Sequence, residues 1–243
     1  IKSWEWVGII GPNGCGKSTL LKGIAKIIPL QKGDILINQS SIKVFSVKKI
    51  AKLISYLPQK INPNLPLTVK ELVSLGRSPH KYFWDFDLNK EDFSVIDEAL
   101  DLCDLIKYSD YELTSLSGGQ CQRAYLALTI AQKTKIILLD EPTTFLDINF
   151  QLQMLDLIKN LNKKNNLTII SVIHDINLAA RYCDRLAVFK RGKLLTIDKP
   201  NNALSRKILR EAFSVEVNYF DTPVGKQICA IKPFGKNVLW SKY

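Results

Sequence analysis

The stretch "GPNGCGKST" at residues 11–19 lies between an apolar run, "WVGII", and a helix-like run, "STLLKGIAKII". It fits the pattern G-x-x-x-x-G-K-[ST], and the flanking strand and helix make the fit specific. Such a loop wraps its backbone closely around a phosphate, because glycine tolerates the required turns and the helix N-terminus presents free N–H groups. The expected cradle runs through Gly11, Pro12, Asn13, Gly14, Cys15, Gly16, Lys17, Ser18 and Thr19. Within it, Lys17 is placed to reach the β- and γ-phosphates and Ser18 to hold Mg²⁺, with Cys15 read as a small filler.

The rest of the chain has the alternation that a strand–loop–helix unit requires. Short apolar runs at residues 7–10, 34–37, 54–57, 136–139, 168–173 and 185–189 read as buried strands. Helical patterns intervene at 17–28 and 149–161, the second with Leu152, Leu155, Ile158 and Leu161 on one face. This predicts an α/β fold with a mainly parallel sheet covered by helices. Residues 60–112 break the rhythm: four prolines punctuate 58–79, and Thr68 to Glu71 forms a helix capping box. A second helix is predicted over 91–105, with Phe93, Ile96, Leu100 and Cys103 on one face, so the segment reads as a helical insert. After Asp198 come one predicted helix, 203–213, and two weak strands, 215–220 and 227–231. The expected layout is a core of 1–59 and 113–200, a helical subdomain at 60–112 and a short extension at 201–243.

Composition narrows the class. No apolar run approaches the roughly 20 residues of a spanning helix, so work at a membrane would need an integral partner. The net charge is +11, yet 27 of the 34 basic residues are Lys and they are scattered. Base readers favour Arg in clusters, so the charge reads as solvated surface and no nucleic-acid partner is expected. The five cysteines form no metal or C-x-x-C spacing and read as reduced thiols. The sequence starts almost directly on a strand without Met, and its natural N-terminus, with upstream strands, is expected to be missing.

Three strand ends add chemistry to the loop. "KIILLDEP" ends in Asp140, placed for Mg²⁺, and Glu141, placed to polarise a water for attack on phosphorus. Gln59 closes "ISYLPQ", where an amide can ligate Mg²⁺ and sense the γ-phosphate. His174 closes "TIISVIHD", where the imidazole can donate to a phosphate oxygen. In an α/β sheet ligands gather at such carboxyl ends.

One further glycine turn, "SLSGGQCQR" at 115–123, duplicates the first in composition. Ser117, Gly118, Gly119 and Gln120 form an S-x-x-Q capping box ahead of "RAYLALTIAQ". An exposed helix N-terminus flanked by glycines also suits a phosphate brought from elsewhere.

With "GPNGCGKST", the glutamine of "YLPQ", "LSGGQ", "IILLDEP", "LD" at 146–147 and "VIHD" in this order, the chain resembles an ATP-binding cassette (ABC) ATPase over its whole length. The resemblance implies a P-loop NTPase (RecA-like) core with an inserted helical subdomain, using ATP and Mg²⁺. It implies a homodimer with two ATP molecules between subunits, in which "LSGGQ" covers the γ-phosphate held by the partner's phosphate loop. "GRSPH" at 76–80, "DEPTTFLDI", "HDINLAARYCDRL" and "DTPVGKQICAIKPF" resemble the ATPases of iron–siderophore, haem and cobalamin importers. Such subunits sit on the cytoplasmic face of the inner membrane, bound to a permease and served indirectly by a substrate-binding protein. In the family an aromatic residue on the upstream strands stacks on adenine; Trp4 and Trp6 lie too close to the loop to replace it and are read as strand or edge packing.

Two alternatives remain. One is an ATPase of another ABC transporter subtype. The other is a DNA-repair type ABC ATPase, against which the short gap between phosphate loop and "LSGGQ" leaves no room for that class's coiled coil.

Overall fold

Strand β1 (Trp6–Ile10) is buried at every residue, as expected for a strand covered on both faces. Its side chains alternate between two apolar layers. Val7 and Ile9 face one, with Leu138, Ile170, Val172 and the helix residues Leu21 and Ile50. Trp6 and Ile10 face the other, with Ile137, Leu139, Ile169, Met154, Leu155 and Ile158. The two-residue period of a strand therefore sorts one continuous apolar run into two cores.

The computed structural model describes residues 1–81, 87–144 and 146–234. After β1 come α1 (Lys17–Ile24), the short hairpin of β2 (Leu36–Ile37) and β3 (Ser40–Ser41), α2 (Val47–Leu53) and β4 (Ile54–Leu57). Helices α3 (Val69–Ser74), α4 (Lys90–Leu102) and α5 (Gly118–Ala131) follow, then β5 (Ile136–Asp140), α6 (Ile148–Lys164) and β6 (Thr168–Val172). The chain continues with α7 (Ile176–Tyr182), β7 (Arg185–Lys190), β8 (Lys193–Asp198), α8 (Pro200–Ala203), α9 (Arg206–Phe213), β9 (Val215–Thr222) and β10 (Gly225–Pro233). The main sheet has the order β4-β5-β6-β1-β7-β8. Its pairs are parallel except for the antiparallel edge strand β8. The mainly parallel α/β sheet is thus the one expected, and among the described residues no helix is long and apolar enough to cross a membrane.

Helices α3, α4 and α5 pack on one another, and α5 also lies against β4. The capping boxes at Thr68 and Ser117 both form. Ile96, Leu100 and Cys103 of α4 are buried, whereas Phe93 stays exposed with the Lys70 ammonium over its ring. The "GRSPH" turn closes against the C-terminal end of α5. A β-carbon on Gly76 would lie 2.5 Å from the Leu128 carbonyl oxygen, so only glycine allows this approach. Arg77 donates to the Ala131 carbonyl, and His80 Nε2 lies 2.9 Å from the Gln132 carbonyl oxygen. Basic groups there suit the negative end of the helix.

Several helix boundaries differ from the sequence expectation; α6, for one, runs three residues past 161 to Lys164. Helix α1 stops at Ile24, four residues early, because Lys26 adopts φ 56° and the Ile27 N–H turns back to Lys22 O. That is a Schellman ending with Lys in the usual glycine position. The Lys26 ammonium is held there by the Ile42 and Phe45 carbonyls. Helix α4 closes at Leu102 rather than at 105. The single helix expected over 203–213 is two, α8 and α9, since Ser205 sits at φ −63°, ψ 153° between them. Strands β3 and β8 and helices α2 and α7 had no counterpart in the sequence reading. Trp6 is fully buried, with its indole N–H donating to Ser171 Oγ at 2.7 Å. Trp4 is exposed and bonded through its backbone to Thr168, which opens β6 at the end of the sheet opposite the phosphate loop.

Candidate active site at the strand ends

Strands β4, β5, β6 and β1 are parallel neighbours, so their carboxyl ends open on one rim of the sheet. At or just beyond those ends lie Gln59, then Asp140 and Glu141, then His174, then the loop at 11–16. A cleft of about 350 Å³ on this rim is lined by Asn13, Gly14, Gly16, Lys17, Ser18, Thr19, Gln59, Glu141 and His174. Sequence residues far apart are therefore gathered by strand order alone.

The loop is shaped by its glycines and its neighbours. Gly11 has φ 156°, and a β-carbon there would meet the Phe189 carbonyl oxygen at 2.3 Å, which fixes the loop against β7. Gly16 caps α1 in a left-handed conformation without a side-chain bond, so the first N–H groups of α1 face the cleft free of a capping side chain. Lys17 is buried, and its ammonium donates to the Gly11 carbonyl at 2.8 Å and the Pro12 carbonyl at 3.1 Å. Cys15 is buried behind the loop, its carbonyl accepting from the Gly192 N–H.

Asp140 is 1% exposed and sits beside this loop. Ser18 Oγ donates to its Oδ1 at 2.9 Å, and Tyr56 Oη donates to its Oδ2 at 3.1 Å. Burial pushes the Asp140 carboxyl above its ordinary range; the bonds from Ser18 and Tyr56 oppose this, and the neighbouring Glu141 charge adds to it. Burial together with the charge of Asp140 also pushes the Tyr56 phenol well above its usual value. A dry carboxylate beside a second carboxylate favours a cation. The nearby hydroxyl, carboxylate and amide oxygens of Ser18, Asp140 and Gln59 are the donor set that Mg²⁺ takes, so these residues fit that ion.

Glu141 is buried and held from three sides. His174 Nε2 lies 2.7 Å from its Oε1, a bond that puts the ring proton on Nε2. Thr144 Oγ1 donates to Oε2 at 3.0 Å, and Gln59 Nε2 donates to the same oxygen at 2.5 Å. The Glu141 backbone is at φ 54°, a left-handed conformation that costs a non-glycine residue on the order of 1 kcal/mol or more. Its N–H is tied to the Val172 carbonyl and its carbonyl to the Thr144 N–H. Gln59 and His174 each lie two residues beyond the last strand residue, not on it, which is what lets both side chains turn onto Glu141.

Ser117, Gly118, Gly119 and Gln120 do not line this cleft. They form the first turn of α5, where Ser117 Oγ accepts from the Gln120 N–H and Gln120 Oε1 from the Ser117 N–H. Ser117 and Gly118 are exposed. Two contributors to the cleft escaped the sequence reading, Tyr56 and Thr144. The only available signals were Tyr56's place on a strand beside the Asp140 strand and Thr144's place three residues after Glu141.

A family model described as ABC transporter matches residues 1–144. The chain belongs to the ABC transporter family. Among curated relatives, this ABC chain is 48% identical over 220 residues to the petrobactin import ATP-binding protein FpuC of Bacillus anthracis, covering 90% of the chain and 80% of the relative. It is 39% identical over 230 residues to the iron(3+)-hydroxamate import ATP-binding protein FhuC of Bacillus subtilis (strain 168), covering 94% and 85%. Among solved structures, the dimeric post-hydrolysis state of the ATP-binding cassette MJ0796 bound to ADP and Pi overlays with a TM-score of 0.70 at 31% identity, covering 82% of this chain and 87% of that one. The α/β fold is that of an ABC ATPase, a P-loop NTPase whose chemistry is transport-coupled ATP hydrolysis.

Proposed function

We propose that this ABC chain is the ATP-hydrolysing subunit of an importer for iron chelates, with Glu141 as its general base. The observation that carries the catalytic part is the placement of one buried carboxylate on the rim of the phosphate cleft, fixed by Gln59, Thr144 and His174. Three donors keep the carboxylate oriented, and orientation is most of what a base needs to act on a water in line with phosphorus. The attacking oxygen forms its bond to the γ-phosphorus, the bond to the ADP oxygen breaks, and the water's proton passes to Glu141.

The remaining roles follow from position. The loop from Gly11 to Thr19 holds the phosphates through its N–H groups, and Lys17 neutralises the β- and γ-phosphate oxygens. Ser18, Asp140 and Gln59 would hold Mg²⁺, which supplies charge neutralisation at those oxygens when bound. With ATP bound, His174 turns its one Nε2–H from Glu141 to a γ-phosphate oxygen, and Gln59 and Thr144 go on holding the carboxylate. Ser117, Gly118, Gly119 and Gln120 serve the ATP of a second copy, a reading supported by the exposure of Ser117 and Gly118 and by the absence of all four from the chain's own cleft. In this reading residues 60–112 act as a helical subdomain hinged at Gln59. They pass closure to a groove that takes a short helix of an integral permease, on the cytoplasmic face of the inner membrane. A substrate-binding protein delivers cargo, and the import proteins named above support an iron chelate as that cargo.

Glu141→Gln keeps the shape of the side chain and removes its basicity. Hydrolysis should fall by about 10²–10⁴-fold with ATP binding retained, measured by single-turnover phosphate release beside equilibrium nucleotide binding. Turnover at the wild-type rate would remove Glu141 from its role.

A further inference from the structure

Helix α5 is held by the same short segment that carries Glu141. Gln122 lies one turn into α5 and is 5% exposed. Its Nε2 donates to the carbonyl of Pro142 at 3.2 Å. Pro142 follows Glu141 directly, inside the turn closed by the Thr144 N–H on the Glu141 carbonyl. Farther along the same segment, Leu146 and Phe150 pack on the other end of the contact. A β-carbon on Gly119 would lie 3.7 Å from each. The start of α5 is therefore bonded and packed onto the segment from Pro142 to Phe150, and among the described residues Gln122 makes the one polar link between them.

This link has a consequence if, as proposed above, two copies enclose two ATP molecules. A chain's Glu141 then serves its own ATP, and its Ser117–Gly119 turn serves the partner's. We propose that Gln122 is a positioning residue that couples the two ATP sites, by tying the turn lent to the partner's site to the turn that carries the chain's own general base. Gln122 touches neither nucleotide. Its amide makes the Glu141 turn and the start of α5 move as one unit, so that closure around one ATP sets the geometry at the other. An apolar side chain of equal length would keep the packing and lose the shared register.

The test is Gln122→Met, which matches the side chain in size and removes the donor. Dimerisation of the Glu141→Gln chain on ATP is read first, by size-exclusion chromatography, because it reports on the two-copy reading alone; a chain that stays monomeric fails that reading and removes the basis for coupling. With the dimer in hand, Gln122→Met should lower the melting temperature by no more than a few degrees, about the cost of one buried hydrogen bond, and leave single-chain ATP affinity unchanged. Its kcat should fall by about tenfold, as for one lost buried hydrogen bond. The Hill coefficient for ATP, which cannot exceed two for two sites, should drop toward one. A kcat loss with wild-type cooperativity, or wild-type kinetics throughout, would overturn the coupling. Loss of nucleotide binding together with melting temperature would assign Gln122 to folding and overturn it as well.

Discussion

Asp92 shows how one residue concentrates both stability and pH sensitivity away from the active site. Burial pushes its carboxyl up, but bonds from Lys81, Arg77 and the Asn89 N–H outweigh that and hold it at about 2, below its ordinary 3.8. Arg77 Nε lies 2.8 Å from Asp92 Oδ1, and Lys81 contacts Oδ2. The folded carboxyl is the more acidic one, so its stabilisation is complete above pH 3.8 and is lost as pH falls toward 2. Asp92→Asn should cost roughly 3 kcal/mol at pH 7, because the buried Arg77 and the partly buried Lys81 lose their anion. It should also flatten the acid limb of the stability curve, read by urea denaturation from pH 2 to 7. At this scale the sequence showed the reactive groups but not their partners. Lys17, Asp140 and Glu141 were legible because their chemistry demands fixed spacing. Tyr56, Thr144 and Gln122 were not, since a Tyr on a strand, a Thr in a turn and a Gln in a helix have ordinary structural uses. Only the folded chain brings their polar atoms to a carboxylate or a carbonyl. The left-handed φ of Glu141 was equally hidden, because nothing in "LLDEPT" marks a strained position.

Among the elements, α5 joins the most distant parts of the chain. Its first turn carries Ser117–Gln120, its second is bonded to Pro142, and its C-terminal carbonyls accept from Arg77 and contact His80. The Gln132 amide beyond its end donates to the Ala51 and Ile54 carbonyls, which reaches α2 and β4. Gly76 sets how closely the 75–80 turn meets α5. Gly76→Val should therefore force the two apart and destabilise the chain by about 1–3 kcal/mol, measured as a lower urea midpoint. ATP hydrolysis should fall further than stability alone requires, because α5 carries the Ser117 turn; unchanged activity in the folded variant would detach the "GRSPH" contact from the site. Helix α6 could be read from its apolar spacing, α5 from its capping box and β1 from its unbroken apolar run. The end of α1 could not, since Lys26 occupies a position that usually announces itself as glycine. The break between α8 and α9 was masked too, because the Ser at 205 interrupts an apolar spacing that otherwise continues.

For the whole molecule, alternation of strands and helices implied that the loop, Gln59, Asp140, Glu141 and His174 would share one sheet edge. It did not imply the order β4-β5-β6-β1, which decides that Glu141 and His174 come from adjacent strands and Gln59 and Asp140 from another adjacent pair. Strand order also leaves Ser117 and Gly118 outside the cleft, exposed at the start of α5. A monomer gives this turn no nucleotide to touch. Ser117→Arg tests what it is for. The substitution removes an N-cap worth about 0.5–2 kcal/mol, too little to unfold a chain of this size, and projects a long cation over the helix start. Because Ser117 lines no part of the chain's own cleft, ATP should bind the single variant chain with wild-type affinity. The ATP-driven dimer should fail to form, and steady-state hydrolysis should fall with it. In a Glu141→Gln background, where bound ATP persists, the contrast becomes sharp: sedimentation should show dimer for Glu141→Gln and monomer for the double variant. Loss of ATP binding by the single variant chain would mean that the Ser117 turn serves its own nucleotide, and the shared-site reading would fall. Normal dimerisation with normal turnover would leave the turn as a helix cap and nothing more.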